Sequence, residues 1–193
     1  MAATRVVLVT GCIYKNYRRP APLVDRMLVR LKGMTTTDTY WSGHSYRLMS
    51  SDKPNTVYCD GSCLRNGRSD AVAGIGVYWS LDSKYNISET LKLPSRPTNN
   101  MAELIAIIRA VQSAIEQGMS SVQVVTDSRY SVLSLNADLT SPKKIPNREL
   151  IAELQEICSH KDIKVSLMLV KGHDDCEGNK MADKLATDAA KRG

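Results

Sequence analysis

Residues 101–127, "MAELIAIIRAVQSAIEQGMSSVQVVTD", decide the fold. Leu104, Ile107, Ile108, Val111 and Ile115 recur at helical spacing and form one apolar stripe. Gly118 stops the pattern. "SVQVVT" follows as a short apolar run, the signature of a buried strand, and ends at Asp127. A helix running directly into a buried strand is a crossover. Crossovers join parallel strands, so this stretch places a parallel pair in the sheet.

Working upstream, "TVYCD" (56–60) is β-prone, ends at Asp60 and is followed by a Gly-containing turn. "AVAGIGVYWS" (71–80) and "YNISETLKL" (85–93) read as two more strands, joined as a hairpin around "LDSK". "RPTNN" (96–100) opens the helix. Downstream come a short helix, a loop "ADLTSPKKIPN" (137–147), a helix over about 147–159, a strand over 163–170 and a last helix over 178–191. No internal repeat is visible. The order βββαβααβα predicts an α/β fold with one five-stranded mixed sheet, three antiparallel strands first and parallel strands after, flanked by helices. Ligands in such sheets gather beyond the carboxyl ends of parallel strands.

The chain has 193 residues, 42% of them hydrophobic, enough for one domain with an appendage. No apolar run has the length of a membrane span. The net charge of +6 is unevenly placed. Arg5, Lys15, Arg18, Arg19, Arg26, Arg30 and Lys32 face one acid, Asp25, within residues 1–33, and the rest of the chain is balanced. Residues 23–31 carry apolar side chains at helical spacing with basic ones between. Such a tail fits a polyanion contact, a presequence, or a small segment packed on the domain. Residues 34–54 are Ser/Thr-rich and read as a linker. The expected division is therefore a basic extension and linker over 1–54 and a catalytic domain over 55–193. Five cysteines at irregular spacing, with no C-x-x-C, predict a reducing, intracellular setting.

Chemistry concentrates in "LVKGHDDCEGNKMADKLA" (169–186). Zinc would need a second His/Cys pair to match His173 and Cys176, and none is near. Four acids invite a common explanation. Each has an ordinary one alone: Asp60 as a turn residue, Glu103 as the far half of a capping box with Asn100, Asp127 as a helix N-cap, Asp183 as a dipole-favoured acid near a helix start. Taken together, Asp60 and Asp127 end two apolar strands, and Glu103 sits at the margin of its helix's stripe. If those strands are neighbours, the carboxylates meet at one sheet edge. Converging carboxylates repel unless cations lie among them, and hard oxygen donors point to Mg²⁺ or Mn²⁺.

The pieces "YCDGSCLRNG", "AGIGVYW", "RPTNNMAEL", "VVTDSRY", "KGH" and "GNKMADKLA" resemble ribonuclease H of type 1, in family order, over about 55–193. The resemblance implies a ribonuclease H-like fold and an endoribonuclease that cuts the RNA strand of RNA/DNA hybrids. It implies two Mg²⁺ ions, replaceable by Mn²⁺, held by Asp60, Glu103, Asp127 and Asp183. It implies little sequence preference and 5′-phosphate and 3′-hydroxyl products. His173 matches the loop histidine that assists proton transfer and product release. Asn66, Asn99 and Asn100 match contacts to the RNA strand. Arg96, Thr98 and Asn147 match a pocket for a DNA-strand phosphate, Tyr130 an aromatic packed on DNA sugars, and Asn179 a loop asparagine. A monomer that does not bind membranes is expected, in the nucleus and cytoplasm or the mitochondrion.

Two departures stand out. The basic, Trp-containing protrusion of larger members is reduced to "SLNADLTSPKKIPN" (134–147), with Lys143 and Lys144 alone. Residues 1–50 lack the pattern of the eukaryotic hybrid-binding module. A non-catalytic hybrid binder, the ribonuclease H part of a reverse transcriptase, and an integrase or junction resolvase are the competing readings. The intact acid set, the Met1 start without polymerase sequence, and the Asn and Arg substrate set weigh against each in turn.

Overall fold

The computed structural model describes residues 55–171 and 176–193. The readings of the basic extension and linker and of His173 lie outside the described residues. The strands are β1 (Asn55–Leu64), β2 (Val72–Tyr78), β3 (Ile87–Thr90), β4 (Ser121–Thr126) and β5 (Lys164–Leu169). The helices are α1 (Asn99–Glu116), α2 (Arg129–Ser134), α3 (Arg148–Cys158) and α4 (Glu177–Arg192). They form one five-stranded sheet in the order β3-β2-β1-β4-β5. β1, β2 and β3 pair antiparallel, while β1 with β4 and β4 with β5 pair parallel. This is the mixed sheet that the element order predicts.

β1 is longer than predicted. "DG" at Asp60–Gly61 was expected to start a turn, but the strand runs through it to Leu64, and the turn follows at Arg65–Gly67. Gly61 has a packing reason instead. A Cβ there would strike the backbone of Ala102 and Glu103 in α1, so the bare position lets that helix lie directly on the strand.

The two faces of the sheet are covered differently. Val57, Cys59 and Gly61 face α1, and the core gathers there around Ile75, Leu104, Ile107, Val111, Val124, Ile151 and Leu154. The opposite face of β2 offers Gly74 and Gly76, where added Cβ atoms would meet the α4 backbone at Ala190, Ala186 and Ala182. α4 answers with buried Ala182, Ala186, Ala189 and Ala190. Small residues on both sides bring helix and sheet into backbone contact. Thr187 Oγ1 donates to Ser62 Oγ across this layer at 3.3 Å. Cys59, Cys63, Cys158 and Cys176 are all free thiols.

Candidate active site

The register fixes the site. Tyr58 pairs with Val125 across the parallel β1–β4 ladder. Two residues further on lie Asp60 in β1 and Asp127 just past β4. They stand at the same level, and the even step puts both carboxylates on one face. Asp60 also pairs with Gly76, the residue on which Ala182 of α4 rests, so Asp183 is carried to the same edge. Gly61 draws in α1 from the other side and brings Glu103 up beside Asp60.

The four acids feel one another. Burial, then the charge of Asp127, raises the Asp60 carboxyl to about 7, with Asp183 and Glu103 adding to the effect and the Gly61 N–H opposing it. Burial and Asp127 also raise Glu103, against hydrogen bonds from Ser128 and Asn99. Among the described residues none of the four forms an ion pair. As placed, no three described His, Cys, Asp or Glu side chains close into a ready ion cage. An edge of four oxygen donors that no cationic side chain among the described residues pairs with nevertheless fits hard divalent ions, not a structural salt bridge.

The ordinary explanations of Asp60, Glu103 and Asp127 fall away, while Asp183 does face solvent. Thr98, not Asn100, caps α1, its Oγ1 accepting the Met101 N–H at 3.3 Å. Glu103 lies beyond the first turn and accepts from Asn99 Nδ2 at 2.8 Å, so it closes no capping box. Ser128 caps α2, which frees Asp127 from that duty. Asp183 is exposed in the second turn of α4, where the helix dipole has faded.

The predicted substrate residues form two groups. Asn66 Oδ1 accepts the Asn99 N–H at 3.3 Å, joining the turn after β1 to the start of α1 beside Glu103. Arg96 Nη1 donates to the Gly67 carbonyl at 3.2 Å, so Arg96 and Thr98 belong to this group. Asn100 is exposed on the same end of α1. Asn147 belongs to the second group. Its left-handed backbone (φ 57°) starts α3 without a side-chain cap, and its Nδ2 donates to Tyr130 Oη at 3.0 Å. Among the described residues no hydrogen bond links Asn147 to Arg96 or Thr98. Asn179 is a buried residue of α4, not a loop residue, and its Nδ2 donates to Asp127 Oδ2 at 3.3 Å.

Sequence reasoning passed over Ser128. Its Oγ lies 2.5 Å from Glu103 Oε2, 2.8 Å from Ser131 Oγ and 3.1 Å from the Ser131 N. The available signal was a serine just before a helix, the position where an N-cap is most favoured.

A sheet of order 3-2-1-4-5 with acids meeting where its central parallel pair ends defines a ribonuclease H-like α/β protein. The chain belongs to the RNase H family, whose model matches residues 52–191. Its relatives include Ribonuclease H1 of Mus musculus, 37% identical over 146 residues, covering 70% of this chain and 50% of that protein. Ribonuclease H of Schizosaccharomyces pombe is 40% identical over 153 residues, covering 74% of this chain and 55% of its own length. The chain thus spans about half the length of these curated relatives. Among solved structures, LC11-RNase H1, isolated from compost, superposes with a TM-score of 0.54 at 25% identity, covering 71% of this chain and 95% of that one.

Proposed function

We propose that this protein is an endoribonuclease that hydrolyses the RNA strand of RNA/DNA hybrids. The observation that carries the reading is the convergence of Asp60, Glu103, Asp127 and Asp183 from β1, α1, the end of β4 and α4. Family membership and the two groups of polar side chains beside the acids support it. The carboxylates would hold two Mg²⁺ ions, which Mn²⁺ can replace. Bound there, the ions would activate a water and neutralise the leaving oxygen, giving 5′-phosphate and 3′-hydroxyl ends.

The chain's own residues account for selectivity. Asn99 spends its Nδ2 on Glu103, which leaves Oδ1 to accept the proton of a ribose 2′-hydroxyl. Asn66 keeps its amide N–H₂ for the same strand, and Asn100 stands exposed beside them. Arg96 can bind a phosphate of the DNA strand with paired N–H groups, with Thr98 near it. Asn147 and Tyr130 offer a second contact to that strand. None of these groups reads base edges, so cutting has little sequence preference. His173, by the family resemblance, would deliver a proton to the leaving group. The working unit is a monomer built on residues 55–193.

The test is a labelled RNA/DNA hybrid incubated with the protein in Mg²⁺ or in EDTA, beside Asp127→Asn. RNA/RNA and DNA/DNA duplexes serve as controls. Cutting of RNA in the hybrid alone, lost in EDTA and in the variant, is expected. Tight hybrid binding without cutting, even in Mn²⁺, would sink the nuclease reading and favour a hybrid-binding protein.

A further inference from the structure

We infer that Ser128, backed by Ser131, is a positioning residue that clamps the Glu103 carboxylate against the Asp127 edge. The inference rests on the nuclease reading only for what the clamp is for. Its geometry stands apart from that reading.

Ser128 has one hydroxyl hydrogen and three polar neighbours. An ionised Glu103 can only accept, so the Ser128 hydroxyl donates to Oε2 at 2.5 Å. The remaining contacts must then run inward. The Ser131 hydroxyl, 2.8 Å away, donates to Ser128 Oγ, as does the Ser131 N–H at 3.1 Å. Ser128 Oγ thus accepts two hydrogen bonds and donates one, and its proton has a single direction. Ser131 is fully buried and Ser128 nearly so, which keeps water from offering the hydroxyl another partner. On the other side, Asn99 Nδ2 holds Glu103 Oε1 at 2.8 Å. Both carboxylate oxygens are therefore fixed, and the plane of the group with them.

The consequence comes from chain order. Ser128 follows Asp127 directly, and its own N–H donates to Thr126 Oγ1 at 3.1 Å. Glu103 comes from α1, on the other face of the sheet from α4. The Ser128–Glu103 bond ties the helix-borne acid to the strand-borne one at the point where cations would sit. Capping α2 alone would need only an acceptor. The donated bond to Glu103 is additional to capping. Partners of this kind around metal ligands change ion affinity or turnover by about 10–100-fold when removed.

The experiment compares full-length wild type with Ser128→Ala, Ser128→Thr and Ser131→Ala. Mn²⁺ binding to the protein without nucleic acid is measured by titration calorimetry, and kcat and KM are measured on a hybrid. Thermal melts monitor folding. Ser128→Ala is expected to weaken Mn²⁺ binding and lower kcat by about tenfold with KM for the hybrid unchanged. Threonine keeps both acceptor and donor and should recover most of each loss. Ser131→Ala, which leaves the cap and its backbone N–H in place, should move both readouts the same way by less. Wild-type Mn²⁺ binding and kcat in Ser128→Ala would overturn the inference. So would a loss that threonine does not recover while Ser131→Ala behaves as wild type. If Ser128→Ala does not fold, an inert Ser131→Ala overturns it. A wild type that binds Mn²⁺ but cuts no hybrid would refute the nuclease reading alone, and the metal titrations would still decide the clamp.

Discussion

Asp60 carries the largest electrostatic consequence of the arrangement. Its carboxyl is raised from 3.8 to about 7 by burial and by Asp127. Over that range the folded protein keeps a proton that the unfolded chain releases. The associated stability is fully present below about pH 4 and is lost as pH rises through about 7. At about 1.4 kcal/mol per unit, the loss has an upper bound of about 4 kcal/mol. Denaturant melts in EDTA should show wild-type stability falling from pH 4 to pH 7.5 and a flatter profile for Asp60→Asn. Mg²⁺ should restore wild type at pH 7.5 and do little for the variant. Parallel profiles would mean that Asp60 does not feel its neighbours. The four acids could be proposed from the sequence because each stood in a matched motif. The ordinary roles of Glu103 and Asp127 were misread, because Thr98 and Ser128 compete for the same caps and a propensity does not say which residue wins. Nor could spacing show that Asn179 would be buried against Asp127 or that Asn147 would turn to Tyr130.

At the scale of elements, the site depends on two helices lying unusually close to the sheet. Gly76→Ala would drive a methyl into the α4 backbone at Ala182 and Ala186, where no flexible side chain can yield. We expect a cost of about 3 kcal/mol, the upper part of the usual range for overpacking, read from urea melts. Nuclease activity should fall further than stability predicts, because the displaced helix carries Asp183. A stable, fully active Gly76→Ala would show that α4 has room to move. Thr98→Ala is the contrasting case. It removes one cap and should cost about 1 kcal/mol in the same melts while α1 stays in place. The elements themselves were legible, since periodicity marks the helices and apolar runs the strands. β1 ran past its predicted end and β3 fell short of it, with Ile87–Thr90 paired out of the nine residues expected. Strand ends depend on pairing partners, and Gly61 reads as a turn until α1 is known to lie upon it.

For the whole molecule, the charge distribution separates a neutral domain from a basic extension. The mixed pairing of the sheet followed from the sequence because crossovers demand parallel pairing, while the placing of β4 beside β1 stood only as a condition. The Tyr58–Val125 register that aligns Asp60 with Asp127 did not follow from it, because a two-residue slip preserves every facing pattern. The extension raises a question that charge arithmetic can answer. If its seven basic residues touch phosphates of a bound hybrid, each lost contact releases fewer counterions, and the slope of log affinity against log salt flattens by about 0.9 for double-stranded DNA. We propose that the extension contributes such contacts, in place of the shortened segment 134–147 with its two lysines. The full chain with Arg18, Arg19, Arg26 and Arg30 all changed to Gln should bind hybrid more weakly at low salt and show a shallower slope. Its kcat at saturating hybrid should equal wild type, because the acids are untouched. Identical slopes would remove the extension from substrate binding. The same four residues would then be tested for targeting, by following residues 1–54 fused to a fluorescent protein with and without the substitutions. Mitochondrial uptake lost on neutralisation would make the charge an address, since a presequence is read by its basic amphipathic face and a phosphate contact by its salt dependence.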